Sequence, residues 1–151
     1  MLWPRLKTMP LHRAAGPIEA FAARRLTRLA RRIFTTDMPG DPREREAIHN
    51  LRKLYRRARY TSEYFGPLLG PHTTRLARKL KRTTDALGTW RDAELALEQL
   101  AAAPGTGPRQ FTAALKAERK RAIKQAATAV RKLQAPAACR DLLAELRAFK
   151  P

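Results

Sequence analysis

Apolar residues recur along this chain every three to four positions, never every two, and Pro or Gly interrupts the pattern at a few places. That period puts one apolar face on each of a series of helices. Gly16-Pro17 opens the first, proline being suited to a helix's first turn. Ile18, Ala22, Leu26, Leu29 and Ile33 form its stripe, opposite Arg24, Arg25, Arg28, Arg31 and Arg32. After a break at 35–40, Asp41 is placed to cap, Pro42 to fill the first helical position and Glu44 to complete a capping box. These signals predict a second helix from 42 to about Phe65, stopped by Gly66-Pro67. A third starts near His72 after the loop 66–71, turns Leu76, Ala77, Leu80 and Leu87 inward, is offered a bend at Gly88 and continues to Ala103. Residues 104–108 (PGTGP) link it to a fourth at about 109–134, with Phe111, Leu115, Ala122, Ile123, Val130 and Leu133 on one face. Beyond Pro136 a short helix carries Leu142, Leu143, Leu146 and Phe149. The expected fold is all-α, a bundle of four long helices plus a short C-terminal one. Residues 1–16 follow no period and read as a flexible arm ahead of one helical domain at 17–151.

Charge changes the picture. Lys and Arg number 32 against 13 Asp and Glu, a formal net charge of +19 in 151 residues. Self-repulsion at that charge opposes compaction, yet 44% of the residues are hydrophobic and fall in stripes, which supports a folded core. A pI near 11.5 points to a polyanionic partner: nucleic acid, an anionic membrane surface or polyphosphate. There are 23 Arg against 9 Lys; Arg forks onto phosphate in bidentate fashion where Lys is a point charge, although a GC-rich genome would give the same excess. The one cysteine, Cys139, excludes an internal disulfide and a multi-cysteine zinc site and fits a reducing cytoplasm. Residues 1–16 lack the apolar run of a secretory signal, and no stretch is apolar enough to span a bilayer. A soluble, cytoplasmic protein without a membrane partner is the expectation.

The second helix concentrates the chemistry. On a helical wheel Leu51, Leu54, Tyr55, Ala58 and Phe65 gather on one side, and His49, Arg52, Lys53, Arg56, Arg59 and Tyr60 on the other. A solvated face normally mixes signs, but no acid occurs between Glu46 and Glu63. Arg52–Arg56, Lys53–Arg56, Lys53–Arg57 and Arg56–Arg59 are like-charge neighbours, together costing roughly 1–2 kcal/mol at ~0.2–0.5 each. A negative ligand would offset that cost. The first, third and fourth helices also carry basic faces, and if these converge they make a long positive groove or cavity, suited to an extended polyanion rather than a small substrate.

The run His49-Asn-Leu-Arg52-Lys53-Leu-Tyr-Arg56-Arg57-Ala-Arg59-Tyr60-Thr-Ser-Glu63-Tyr-Phe65 resembles the signature helix of CHAD domains (conserved histidine α-helical domains), and Leu87-Gly88-Thr-Trp-Arg91-Asp92 is similar to that family's Leu-Gly-x-x-Arg/Asn-Asp turn. The resemblance covers 41–103, and the flanking helices 17–34 and 109–134 fit the family's layout. It implies two four-helix halves with basic faces lining a cavity, binding of inorganic polyphosphate, and association with polyphosphate granules. By the same resemblance His49, Arg52, Lys53, Arg56 and Arg59 would contact phosphate, with Arg75, Lys79 and Arg82 from the facing helix and Arg91 beside them, while Asp92 would hold an Arg in place. The signature occurs once here and usually twice in the family, so the chain looks like a half domain. It is expected either to pair as a homodimer or to work as an open basic face.

An enzyme is not expected. No pair of acids sits near a His in an acid–base pattern, no Gly-rich phosphate loop and no H-E-x-x-H occur, and Glu44-Arg45-Glu46 precedes Ala47-Ile48 in a helical stretch rather than completing a Glu-x-Glu-x-Lys strand. His12, His49 and His72 lack ligand spacing, so neither a metal nor a cofactor is expected. Two other functions compete: nucleic-acid binding, supported by the same charge but by only 7% aromatics, and a granule scaffold or adaptor that recruits protein partners.

Overall fold

A computed structural model describes residues 18–41, 44–103, 105 and 108–149. The expected arm at 1–16 lies outside them, as does Pro42. The described residues form five helices and no strand: α1 (Ile18–Thr35), α2 (Arg45–Leu69), α3 (Pro71–Ala102), α4 (Arg109–Leu133) and α5 (Pro136–Arg147). The all-α bundle expected from the periodicity is the observed architecture. At ~1.5 Å per residue, α3 is a strut of about 48 Å. It packs along α2 on one side and α4 on the other, and also touches α5, while α1 lies against α2 and α5.

Each helix buries the stripe its period marks out. Ala22, Leu26, Leu29 and Ile33 of α1, Leu51, Leu54, Tyr55 and Ala58 of α2, Leu76, Leu80, Leu87 and Trp90 of α3, Ala122, Ala126, Val130 and Leu133 of α4, and Leu142 and Leu146 of α5 join in one core. Ile18 and Phe111 depart from expectation, at 54% and 51% exposed. Phe111 sits where α4 has not yet reached the core, its buried positions beginning at Ala122.

Two predicted boundaries and one implied turn are corrected. First, α2 begins at Arg45 rather than 42. Glu44 does reach back to Asp41, whose N–H donates to Glu44 Oε1 at 3.3 Å, but the two close a turn ahead of the helix. Second, Gly66-Pro67 does not stop α2. Pro67 lies inside the helix and forfeits one backbone bond in its last turn. Gly66 is buried because α3 comes close: a Cβ there would sit 3.2 Å from Thr74 Oγ1. The stop is Gly70, at φ +124°, so the six-residue loop shrinks to a single residue. Third, α3 runs through Gly88 without interruption, and Leu87-Gly88 through Arg91-Asp92 is mid-helix rather than a turn.

The start of α3 has a distant cap. Glu145 of α5 accepts the backbone N–H groups of His72 at 2.9 Å and Thr73 at 2.8 Å, and the Thr73 hydroxyl at 2.8 Å. An N-terminus with unpaired amides is a natural anion site; here the chain's own carboxylate fills it.

Candidate functional site

Arg52, Arg56 and Arg59 recur at helical spacing on α2 and face α3. They line, with Tyr60, one wall of a cleft of about 370 Å³; Thr84, Asp85, Gly88, Thr89 and Asp92 of α3 form the other. Arg59 is tethered: its Nε donates to Glu63 Oε1 at 2.7 Å, and its Nη1 reaches Thr84 Oγ1 at 3.3 Å and Asp85 Oδ1 at 3.6 Å. The hydrogen bond to Glu63 raises the Arg59 pKa further, partial burial opposing it and the charges of Glu63 and Asp85 adding to it. Arg56 and Arg59 also flank Tyr60, their guanidinium carbons 5.7 and 5.6 Å from its ring centroid. Arg52 and Arg56 have no ion-pair partner among the described residues. The cleft therefore offers two unpaired guanidinium groups beside a third held in position.

The other candidates are distributed differently. Lys79 and Arg82 face α4 across a separate cleft. Arg75, 3.0 Å from His72 Nδ1 through Nη2, lines a third with Lys79, Phe34 and Leu142. His49 and Lys53 are exposed on α2 and line none of these clefts. Arg91 Nη1 lies 3.9 Å from Glu98 Oε1. Asp92 lines the first cleft but holds no Arg among the described residues; that role falls to Asp85, two turns nearer Arg59 and also 2.7 Å from Lys81 Nζ.

A second acid escaped the sequence reading. Glu94 of α3 is 3% exposed and pairs with Arg45 of α2, at 3.0 Å, and with Arg119 of α4. It clamps three helices, and only its place between two basic helices distinguishes it from an ordinary surface acid. Burial pushes the Cys139 thiol up, with Lys79 pulling the other way. Among the described residues no three His, Cys, Asp or Glu side chains come together as a metal-ligand set, and no helix is long and apolar enough to cross a membrane.

A family model for the CHAD domain matches residues 2–101, about two thirds of the chain. The chain belongs to the CHAD family. The matched span takes in the signature helix, the Leu-Gly–Arg-Asp segment and residues expected to form a separate arm, and it stops one residue before α3 ends. In this CHAD protein α4 and α5 lie outside the matched span. No curated protein and no solved structure matches the chain.

Gly88 marks where helix stability and the cleft pull apart. A Cβ there would meet nothing within 4 Å, so packing does not demand glycine, and a mid-helix glycine costs about 1 kcal/mol relative to alanine. Its one evident effect is to leave the cleft wall bare. Gly88→Ala is expected to raise Tm by about 2–4 °C, whereas Gly88→Leu, which fills the space facing Arg52 and Arg56, should weaken anion binding. Melting curves paired with binding isotherms check both.

Proposed function

We propose that this CHAD protein binds a long polyanion, inorganic polyphosphate foremost, without turning it over, and that it does so at polyphosphate granules in the cytoplasm. The family is associated with polyphosphate. The observation that carries the reading to this chain is the pair Arg52 and Arg56, unpaired among the described residues and facing an open cleft whose far wall is bared at Gly88. A repeating phosphate chain supplies what such a wall lacks, charge-assisted acceptors at short intervals. His49, one turn before Arg52, and Lys53, one turn before Arg56, extend the basic surface along the exposed side of α2.

A second reading, nucleic acid, draws on Tyr60, 52% exposed and flanked by two guanidinium groups, which could stack a base. Competition at physiological salt separates the two: polyphosphate is expected to displace DNA or RNA at low concentration, and not the reverse. Nucleic acid displacing polyphosphate with equal ease would overturn the first reading. Light scattering on the same samples tests self-pairing, which the single signature favours; a monomer with and without polyphosphate would exclude it.

A further inference from the structure

Five cations converge on the other side of α3. Lys79 and Arg82 of α3 and Arg121, Lys124 and Lys132 of α4 line one open cleft of about 710 Å³, with Asp85 the single acid on its walls. None of the five has an ion-pair partner among the described residues. Arg121, Lys124 and Lys132 share one face of α4 at helical spacing. That helix lies beyond the span matched by the family model. The segment of α3 on this cleft, Lys79 to Thr89, extends about 15 Å, which suits an extended ligand rather than a single small ion.

This cleft adjoins the one on α2. Asp85 and Thr89 line both, so only the exposed crest of α3 separates them, and at Gly88-Thr89 that crest carries no large side chain.

We propose that the α3–α4 cleft is a second phosphate-binding cleft, and that one long polyphosphate chain occupies both clefts by crossing α3 at Gly88-Thr89. The inference rests on the polyphosphate reading and adds to it a basis for selecting chain length. A short oligophosphate fills one cleft at a time. A long one gains the second as an intramolecular event at high effective concentration, which can strengthen binding by orders of magnitude without new kinds of contact.

The test compares tripolyphosphate with long-chain polyphosphate on four proteins: wild type, Arg52→Ala/Arg56→Ala, Arg121→Ala/Lys124→Ala, and Arg24→Ala/Arg28→Ala as a control that removes two exposed cations of α1 from outside both clefts. All four substituted α4 and α1 positions are exposed, and helicity and Tm confirm folding. Arg121→Ala/Lys124→Ala is expected to weaken long-chain binding at least ~10-fold and to make its log–log salt dependence shallower by roughly 1.4–1.8, two contacts' worth, with a much smaller loss for tripolyphosphate. The α1 control is expected to stay near wild type. Long-chain binding that survives Arg121→Ala/Lys124→Ala while Arg52→Ala/Arg56→Ala abolishes it would overturn the second cleft and leave the first standing. An equal loss in the α1 control would reduce the effect to net charge and overturn it too. A wild type that binds neither phosphate refutes the polyphosphate reading, and this inference with it.

Discussion

Replacing Arg52 and Arg56 together with alanine is expected to weaken long-chain polyphosphate binding by roughly 10- to 100-fold at low salt, and to make its salt dependence shallower by roughly 1.4–1.8 log units per decade, because each phosphate contact releases condensed counterions. The fold should tolerate the change. Removing Arg56 relieves its like-charge contacts with Arg52, Lys53 and Arg59, worth ~0.2–0.5 kcal/mol each, and forfeits its approach to Tyr60, worth about 0.5–1 kcal/mol at an exposed site. These nearly cancel, so Tm should move by no more than a few degrees while affinity falls steeply. Salt titrations of binding, with melting curves on the same preparations, report the two quantities separately. An unchanged salt slope would identify the stripe as a solvated face and nothing more.

Gly70→Ala is expected to be the most destabilising single substitution at the α2–α3 turn, at about 2.5–8 kcal/mol. Gly70 sits at φ +124°, ψ −174°, a region essentially closed to residues with a Cβ, where occupancy costs about 1–3 kcal/mol. The new Cβ would also lie 2.7 Å from Glu145 Oε2 and 2.8 Å from its Cδ, so the carboxylate must withdraw from α3. Losing a helix cap costs about 0.5–2 kcal/mol. Thr73 is fully buried, and its hydroxyl then lacks its acceptor, at about 1–3 kcal/mol if nothing replaces it. Glu145→Ala incurs the last two losses without the first, at about 1.5–5 kcal/mol. Since both substitutions remove the same cap, the double variant should cost less than the sum of the singles. Denaturant melts of the three variants measure that coupling, and simple additivity would mean that the carboxylate is not what Gly70 makes room for.

The apolar stripes were legible because burial in a helix follows its period: Ala22, Leu26 and Ile33, or Leu51, Leu54, Tyr55 and Ala58, need only the spacing to be placed. Arg52, Arg56 and Arg59 were legible as a group for the same reason. What escaped depends on neighbours distant in sequence. Gly66-Pro67 carries the strongest local stop signal, yet Gly66 serves the approach of Thr74 and the stop falls at Gly70, where the backbone turns to accommodate Glu145. Arg75, Lys79 and Arg82 share a basic face on a wheel. Whether each meets α2, α4 or α5 follows from α3 lying between them, which no single-helix pattern encodes. Glu94 carries no mark in the sequence, because its partners Arg45 and Arg119 come from two other helices.

The clasp at Glu145 also has a consequence for the nascent chain. His72 is synthesised 73 residues before the carboxylate that receives its amide, a wait on the order of 4 to 15 s at ordinary elongation rates. Through that interval α2 and α3 can form and pair on the ribosome, but the first amides of α3 have only water for partners and Thr73 has no buried acceptor. The α2–α3 hairpin thus emerges with its basic face assembled and the start of α3 uncapped until α5 follows it out.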